Sequence, residues 1–431
     1  MTTSLVDVLH PVLPGAEPAT AGQARRISEV QLRTPYADTV KAMESDGYRY
    51  ARLLVRDGTS VLGFIEVGVD DGVILGREVT REMSRLPART DPPLPAHEPP
   101  VSVVLCTRDR ADAARRAVES LLVMEYPNFE VVVVDYASTT LDTWRAVEAL
   151  ADPRVRVIHA SVPGLAAARN RGLEAATHDV VAFTDDDVVV DAHWLAALVR
   201  PLADPDVACV TGLVPPAQLR TEAQCDFEQR VHWTSTIGRR TYRRDDPGHG
   251  KLFPFRVADY GTGANFAIRR SVSFQLGGFD EALGAGSPTK GGEDIDWFVR
   301  TIVAGHVLVF EPDAITWHQH RDDADALAAQ AHGYGLGLGA WLTKVVLDRE
   351  LAPLALSRAG SAAAHLVSTM SGRARSAGAP SISTLAASRA ELRGLLAGPR
   401  ALLTARAQGR KPKPFREFGH PDTQGASSSP R

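Results

Sequence analysis

Between residues 101 and 183 four Val-rich runs alternate with three helical stretches. The runs cover residues 101–105, 130–134, 155–158 and 180–183, and the helical stretches 109–124, 141–150 and 165–176. Apolar strands without an exposed face, separated by helices, point to a parallel sheet covered on both sides. Such a sheet binds ligands at the carboxyl ends of its strands. That rule gathers residues 107–110, 135–138 and 185–187 into one crevice and makes the fold class α/β.

The fourth run ends in Asp185-Asp186-Asp187 and is followed at once by Val188-Val189-Val190. Three adjacent carboxylates repel one another and resist desolvation, so a positive partner is expected. In extended geometry Asp185 and Asp187 project to one side and address one cation, with Asp186 as a spacer pointing elsewhere. Oxygen ligands favour Mg2+ or Mn2+ over zinc.

Other polar groups are placed around the same crevice. Asp135 follows the second run and reads either as a turn residue or as an acceptor for a base or ribose. Arg169, Asn170 and Arg171 fall off the Leu165/Ala168/Gly172/Leu173 packing stripe of their helix, and Arg169 is expected to approach the acidic crevice or a phosphate. Gly261-Thr262-Gly263-Ala264-Asn265 is a Gly-rich turn that lets backbone approach a ligand. Gly291-Gly292-Glu293-Asp294 places two acids in a first helical turn, either as dipole partners or as a general base. His318-Gln319-His320 lacks further ligands at zinc spacing, which leaves one His free to complete a divalent site begun by Asp187.

Five prolines within residues 89–100 mark a linker. Residues 1–25 read as a loose leader and 26–88 as a small αβ module, with a hairpin turning at Asp57-Gly58. Residues 101–321 form the main domain and 322–408 a helical extension interrupted by Gly333, Gly335, Gly337 and Gly339. Residues 409–431 have the composition of a disordered tail. The helical extension either packs on the main domain, the favoured reading, or touches a membrane surface.

A net charge of -4 gives no global basic field for nucleic acid. No run of about 18 apolar residues offers a membrane span. Cys106, Cys209 and Cys225 have neither zinc nor disulfide spacing. With no signal-peptide pattern at the start, a cytoplasmic protein is expected, with possible peripheral contact at the inner membrane face through 322–408.

Taken in order, these motifs resemble family 2 glycosyltransferases of the GT-A fold. The resemblance rests on 101–110, Asp135, Ala168-Arg169-Asn170-Arg171-Gly172, 183–187, 261–265, Gly277-Gly278-Phe279-Asp280-Glu281, Gly292-Glu293-Asp294 and 318–321. It implies a GT-A-type nucleotide-binding α/β/α sandwich and an inverting, metal-dependent transferase using a nucleotide-diphosphate sugar. By this resemblance Thr107, Arg108, Asp135, Arg169, Asn170, Asp185 and Asp186 line the donor site. Asp185, Asp187 and His318 hold the metal, with His320 as an alternative to His318. Asp294 is the base, with Glu293 beside it, and the acceptor is a saccharide, a lipid-linked molecule or a small molecule. Residues 279–292 read as an acceptor-side lid. A nucleotidyltransferase would share the sheet and the acids, but it would carry a Gly-rich loop where 106–110 reads Cys-Thr-Arg-Asp-Arg. A non-catalytic nucleotide-sugar-binding module would not need the acids at 185, 187 and 294.

Overall fold

The computed structural model describes residues 7–15, 17–33, 36–92, 94–231, 233–234, 237–361 and 382–411. The tail expected to be disordered lies outside them from residue 412 onward.

The four Val-rich runs become β7 (Val101–Thr107), β8 (Phe129–Tyr136), β9 (Val155–Ala160) and β10 (Val180–Asp185), following six shorter-range strands of the N-terminal region. Helices α2 (Ala111–Leu122), α3 (Asp142–Glu148) and α4 (Leu165–Ala175) connect them. All three pairings, β10 to β7, β7 to β8 and β8 to β9, are parallel. Alternate side chains feed two separate cores. Val104, Val132, Val134 and Phe183 enter one, and Val103, Leu105, Val131 and Ala182 the other. Both faces are therefore covered, which is why these strands read as continuous apolar runs.

Beyond β10 the sheet becomes mixed. It continues through β11 (Val188–Val190), α5 (Trp194–Val199), β12 (Val207–Leu213), α6 (Glu222–Val231), β13 (Arg240–Tyr242), β14 (Asn265–Arg269), α7 (Arg270–Gln275), α8 (Glu293–Val303) and β15 (Val307–His318). The spatial order is β11-β15-β12-β14-β10-β7-β8-β9, with β13 on β15. β14 runs antiparallel to both β10 and β12, so only half the sheet has the parallel form expected. The layers are α/β/α.

Within the expected leader, residues 7–9 form a strand. β1 (Asp7–Leu9) pairs with β3 (Thr39–Ala42), which pairs with β6 (Val73–Leu75). A second sheet joins β2 (Arg25–Gln31), β4 (Tyr50–Asp57) and β5 (Ser60–Gly68), with α1 (Gly76–Met83) following. The hairpin at Asp57-Gly58 is the one between β4 and β5. β4 divides its side chains by period two. Ala51, Leu53 and Val55 enter the N-terminal core, while Leu54 joins the core of the main sheet. On that same face Arg56 pairs with Asp191 at 2.7 Å.

The Gly-rich stretch does not interrupt a helix. α9 (Ala324–Leu347) runs through it and packs along α10 (Ile382–Ala407). A Cβ on Gly335 would lie 1.9 Å from the Glu391 carbonyl oxygen, and one on Gly339 2.2 Å from that of Leu395. Glycine is needed there because the two backbones touch. Ala340, Trp341, Val345, Leu402 and Ala405 join the core of the main sheet, so this pair of helices packs on the domain. Among the described residues no helix is long and apolar enough to cross a membrane.

Candidate active site

The acidic run sits where β10 stops. The strand ends at Asp185, and Asp186 and Asp187 form a turn into β11. The turn breaks the period-two alternation, so the three carboxylates meet different sets of partners, with Asp186 and Asp187 sharing Arg110. Asp185 faces Arg169 Nη2 at 3.5 Å. Asp186 accepts from Thr107 Oγ1 at 2.7 Å and from Arg110 Nη1. Asp187 lies 3.6 Å from His318 Nε2, 3.4 Å from Arg110 and 3.8 Å from Arg321. Asp186 is thus no spacer: it ties the end of β7 to the acidic turn.

His318 reaches Asp187 through strand register. β11 pairs antiparallel with β15, with Val188 opposite His318, and the Gln319 amide donates to the Asp187 carbonyl at 2.9 Å. Burial pushes the His318 imidazole down to about 4 even though Asp187 pulls the other way. Burial also opposes ionisation of Asp187, but His318, Arg110 and Arg321 outweigh it and hold that carboxyl below its usual range. Burial raises Asp186 to about 6, with Arg110 opposing and Asp187 reinforcing. Burial also raises Asp185, against Arg169.

The expected three-residue metal set does not assemble. Among the described residues no group of three His, Cys, Asp or Glu side chains is placed to hold one ion. Asp185 is drawn to Arg169, which leaves Asp187 and His318. Their facing acceptor atoms fit a divalent ion that takes its other ligands from a substrate and water.

Arg169 is 2 % exposed and spends its donors on protein. It bonds Glu293 at 2.9 Å and the Gly263 carbonyl at 2.9 Å, with its guanidinium against Phe266 and Phe279. It reaches the acidic crevice at Asp185, with its donors committed to protein groups. Asn170 is likewise bonded within the protein. Its Nδ2 donates to the Phe279 carbonyl and to Glu281, and its Oδ1 accepts from the Phe279 amide. Both residues face away from solvent because the α4 turn carrying them is buried between the sheet and the 279–281 loop.

α8 opens at Gly292, whose φ of 95° lies in the left-handed region. The two acids that follow separate. Glu293 is buried on Arg169, and burial together with Asp294 raises its carboxyl above the ordinary value. Asp294 stays half-buried at the crevice. Its Oδ2 accepts from the Gly263 amide at 2.8 Å, and its Oδ1 from its neighbour Ile295. A Cβ on Gly263 would meet Arg169 at 2.9 Å and Asp294 at 3.0 Å, so the Gly-rich turn lets the loop close over both.

Asp135 stands beside Thr107 across the β7–β8 pairing, nearly fully buried, and accepts from Ser138 Oγ. Ser138 in turn accepts from the Asp109 amide at 2.9 Å. Arg108 is exposed at the rim. Residues 279–292, expected as an acceptor-side lid, are bonded internally. Ser287 and Thr289 are buried and bonded to carbonyls of the same loop, and Gly284 bridges Gly291. Arg110 and Arg321, which supply the crevice's cations, were not among the expected site residues; the positive partner demanded by three acids was the signal for them.

Residues 102–274 match the model of glycosyl transferase family 2. The likeness to that family covers this segment of the chain. It is 32% identical over 250 residues to the pre-mycofactocin glycosyltransferase of Mycobacterium tuberculosis, covering 57% of this chain and 49% of that one. It is 30% identical over 190 residues to the glucosyl-dolichyl phosphate glucuronosyltransferase of Haloferax volcanii, covering 43% of this chain and 57% of that one. The chain thus spans about half the length of these curated relatives. Among solved structures it is similar to the mannosyltransferase PcManGT from Pyrobaculum calidifontis in complex with GDP-Man and Mn2+. There the TM-score is 0.45 at 22% identity, covering 76% of this chain and 91% of that one.

Proposed function

We propose that the chain is an inverting glycosyltransferase that moves a sugar from a nucleotide-diphosphate sugar to an acceptor hydroxyl. The observation that carries this reading is the division between two neighbouring acids. Glu293 is buried and committed to Arg169, while Asp294 stays at the crevice with its carboxylate oriented by the Gly263 amide.

Asp294 takes the proton from the acceptor hydroxyl as that oxygen bonds to the anomeric carbon. The bond from the anomeric carbon to the diphosphate oxygen breaks, and the nucleoside diphosphate leaves from the opposite face. One displacement inverts the configuration, with no covalent intermediate on the protein. Asp135 binds the nucleoside side of the donor, at the carboxyl end of β8 where such ligands sit. Arg110 and Arg321 face the diphosphate side, and Thr107 holds Asp186 and with it Arg110. Asp187 and His318 would hold a Mg2+ or Mn2+ ion. When bound, that ion supplies charge to offset the departing diphosphate.

A thermal-shift screen of nucleotide sugars with and without Mn2+ tests the reading. A donor that raises the melting temperature only with the metal supports it. No response to any donor contradicts it.

A further inference from the structure

Behind His318 a chain of polar groups runs out of the catalytic domain into the N-terminal sheet. His318 Nδ1 and His320 Nδ1 lie 2.7 Å apart, and His320 Nε2 lies 3.2 Å from Glu228 Oε2 on α6. Glu228 Oε1 accepts from Arg52 Nη1 at 2.9 Å and from Thr234 Oγ1 at 2.9 Å. Arg52 donates its other arm to Thr234 at 2.6 Å and lies over the Phe64 ring. It belongs to β4, on the face shared with Leu54 and Arg56 that packs against the main domain. Phe227 packs edge-on against His320 and Trp233 against His318, which holds both rings in place.

The direction of each hydrogen follows from its partner. A carboxylate pinned by a guanidinium is an acceptor, so His320 Nε2 carries the hydrogen toward it. In a neutral imidazole the other nitrogen is then an acceptor. His320 Nδ1 thus takes the hydrogen of His318 Nδ1. That leaves the His318 Nε2 lone pair facing the Asp187 carboxylate, two acceptors 3.6 Å apart. Reversing the chain would instead set the His320 Nε2 lone pair against Glu228 at 3.2 Å.

We infer that the N-terminal module is a working part of the site: Arg52, through Glu228 and His320, fixes the tautomer in which His318 presents a lone pair beside Asp187. The three are positioning residues for a cation ligand, in the manner of carboxylate–histidine pairs that orient metal-binding imidazoles. The inference rests on the reading that Asp187 and His318 hold a divalent ion.

The test uses the full chain and Mn2+, measured by electron paramagnetic resonance with UDP or GDP present. Glu228→Gln lets an amide donate to His320 and so removes the bias on the tautomer. It is expected to weaken Mn2+ retention about 10–100-fold, the usual cost of losing such a partner. It is also expected to reduce the imidazole-nitrogen modulation in the pulsed spectrum of bound Mn2+, a signal that general loosening of the fold does not select. Arg52→Gln is the second variant, used as well if Glu228→Gln does not fold, with the same direction expected. Arg25→Ala removes a half-exposed ion pair on the same module and is expected to change neither readout. His318→Ala tests the underlying reading: unchanged Mn2+ retention there overturns His318 as a ligand. If His318→Ala weakens Mn2+ while Glu228→Gln and Arg52→Gln match the wild type in both readouts, the inference is overturned and the reading survives.

Discussion

Arg169 holds Glu293 at 2.9 Å inside the protein, and this pair assigns different work to two adjacent acids. Both charges are almost fully buried, and Arg169 also binds the Gly263 carbonyl. Removing one partner of such a pair leaves an uncompensated charge, at a cost of about 3–5 kcal/mol. Glu293→Gln is therefore expected to lower stability markedly in a denaturant titration. Asp294→Asn keeps an oxygen for the Gly263 amide and is expected to stay close to the wild type.

A second buried charge network joins the helical extension to the domain. Lys344 of α9 lies 2.9 Å from Asp280 and 2.6 Å from Asp296, and Arg406 of α10 bonds Asp280 through both arms. Asp280→Asn should cost about 3–5 kcal/mol at neutral pH, because it strips Arg406 of its carboxylate partner and leaves Lys344 with Asp296 alone. Burial alone would raise Asp280, but Lys344 and Arg406 outweigh it and hold the carboxyl well below the usual range. For a depressed carboxyl the stabilisation is complete above the unfolded value of about 4 and is lost as pH falls below it. The gap between wild type and Asp280→Asn is thus expected to shrink as unfolding is measured from pH 6 down to pH 2.

Asp186 has the opposite sign. Its folded value, raised to about 6, lies above the unfolded one, so the folded state binds more protons between the two. Its contribution to stability rises as pH falls from about 6 to about 4. Asp186→Asn should remove that rise, a difference visible in melting temperature measured against pH.

Gly337 of α9 presses on the loop that launches α8. A Cβ there would stand 2.6 Å from the Gly291 carbonyl carbon and 2.8 Å from its Cα. Gly337→Ala must displace Gly291 and Gly292, and with them Asp294. The expected cost is about 1–3 kcal/mol of stability, as for other overpacked sites. Turnover should fall more than donor affinity, because the displaced group is the proposed base.

β7, β8 and β10 were legible because each buries both faces, which leaves a continuous apolar run, while β9 at the sheet edge is only partly buried and carries Arg156 and His159. The acids at 135, 185, 187 and 294 were legible because carboxylates at strand ends and helix starts demand a reason. The separate duties of Asp185, Asp186 and Asp187 were not, since they depend on a turn that begins at residue 186. Arg169 and Asn170 carry residue types that suit a phosphate site, yet their α4 turn is enclosed by a loop more than a hundred residues away. The partners of Arg52 and His320 were equally hidden. They lie 176 and 92 residues from Glu228, and only tertiary packing brings them together. The glycines of α9 looked like helix breakers because their reason, close contact with α10 and with Gly291, is non-local.

The most direct measurement compares Asp294→Asn with the wild type, using the nucleotide sugar identified by the screen. Donor affinity and release of nucleoside diphosphate in the presence of acceptor are read on the same preparation. Loss of a general base is expected to slow release by about 10²–10⁴-fold while donor affinity stays within a few-fold. An Asp294→Asn protein that turns over at the wild-type rate would contradict the account.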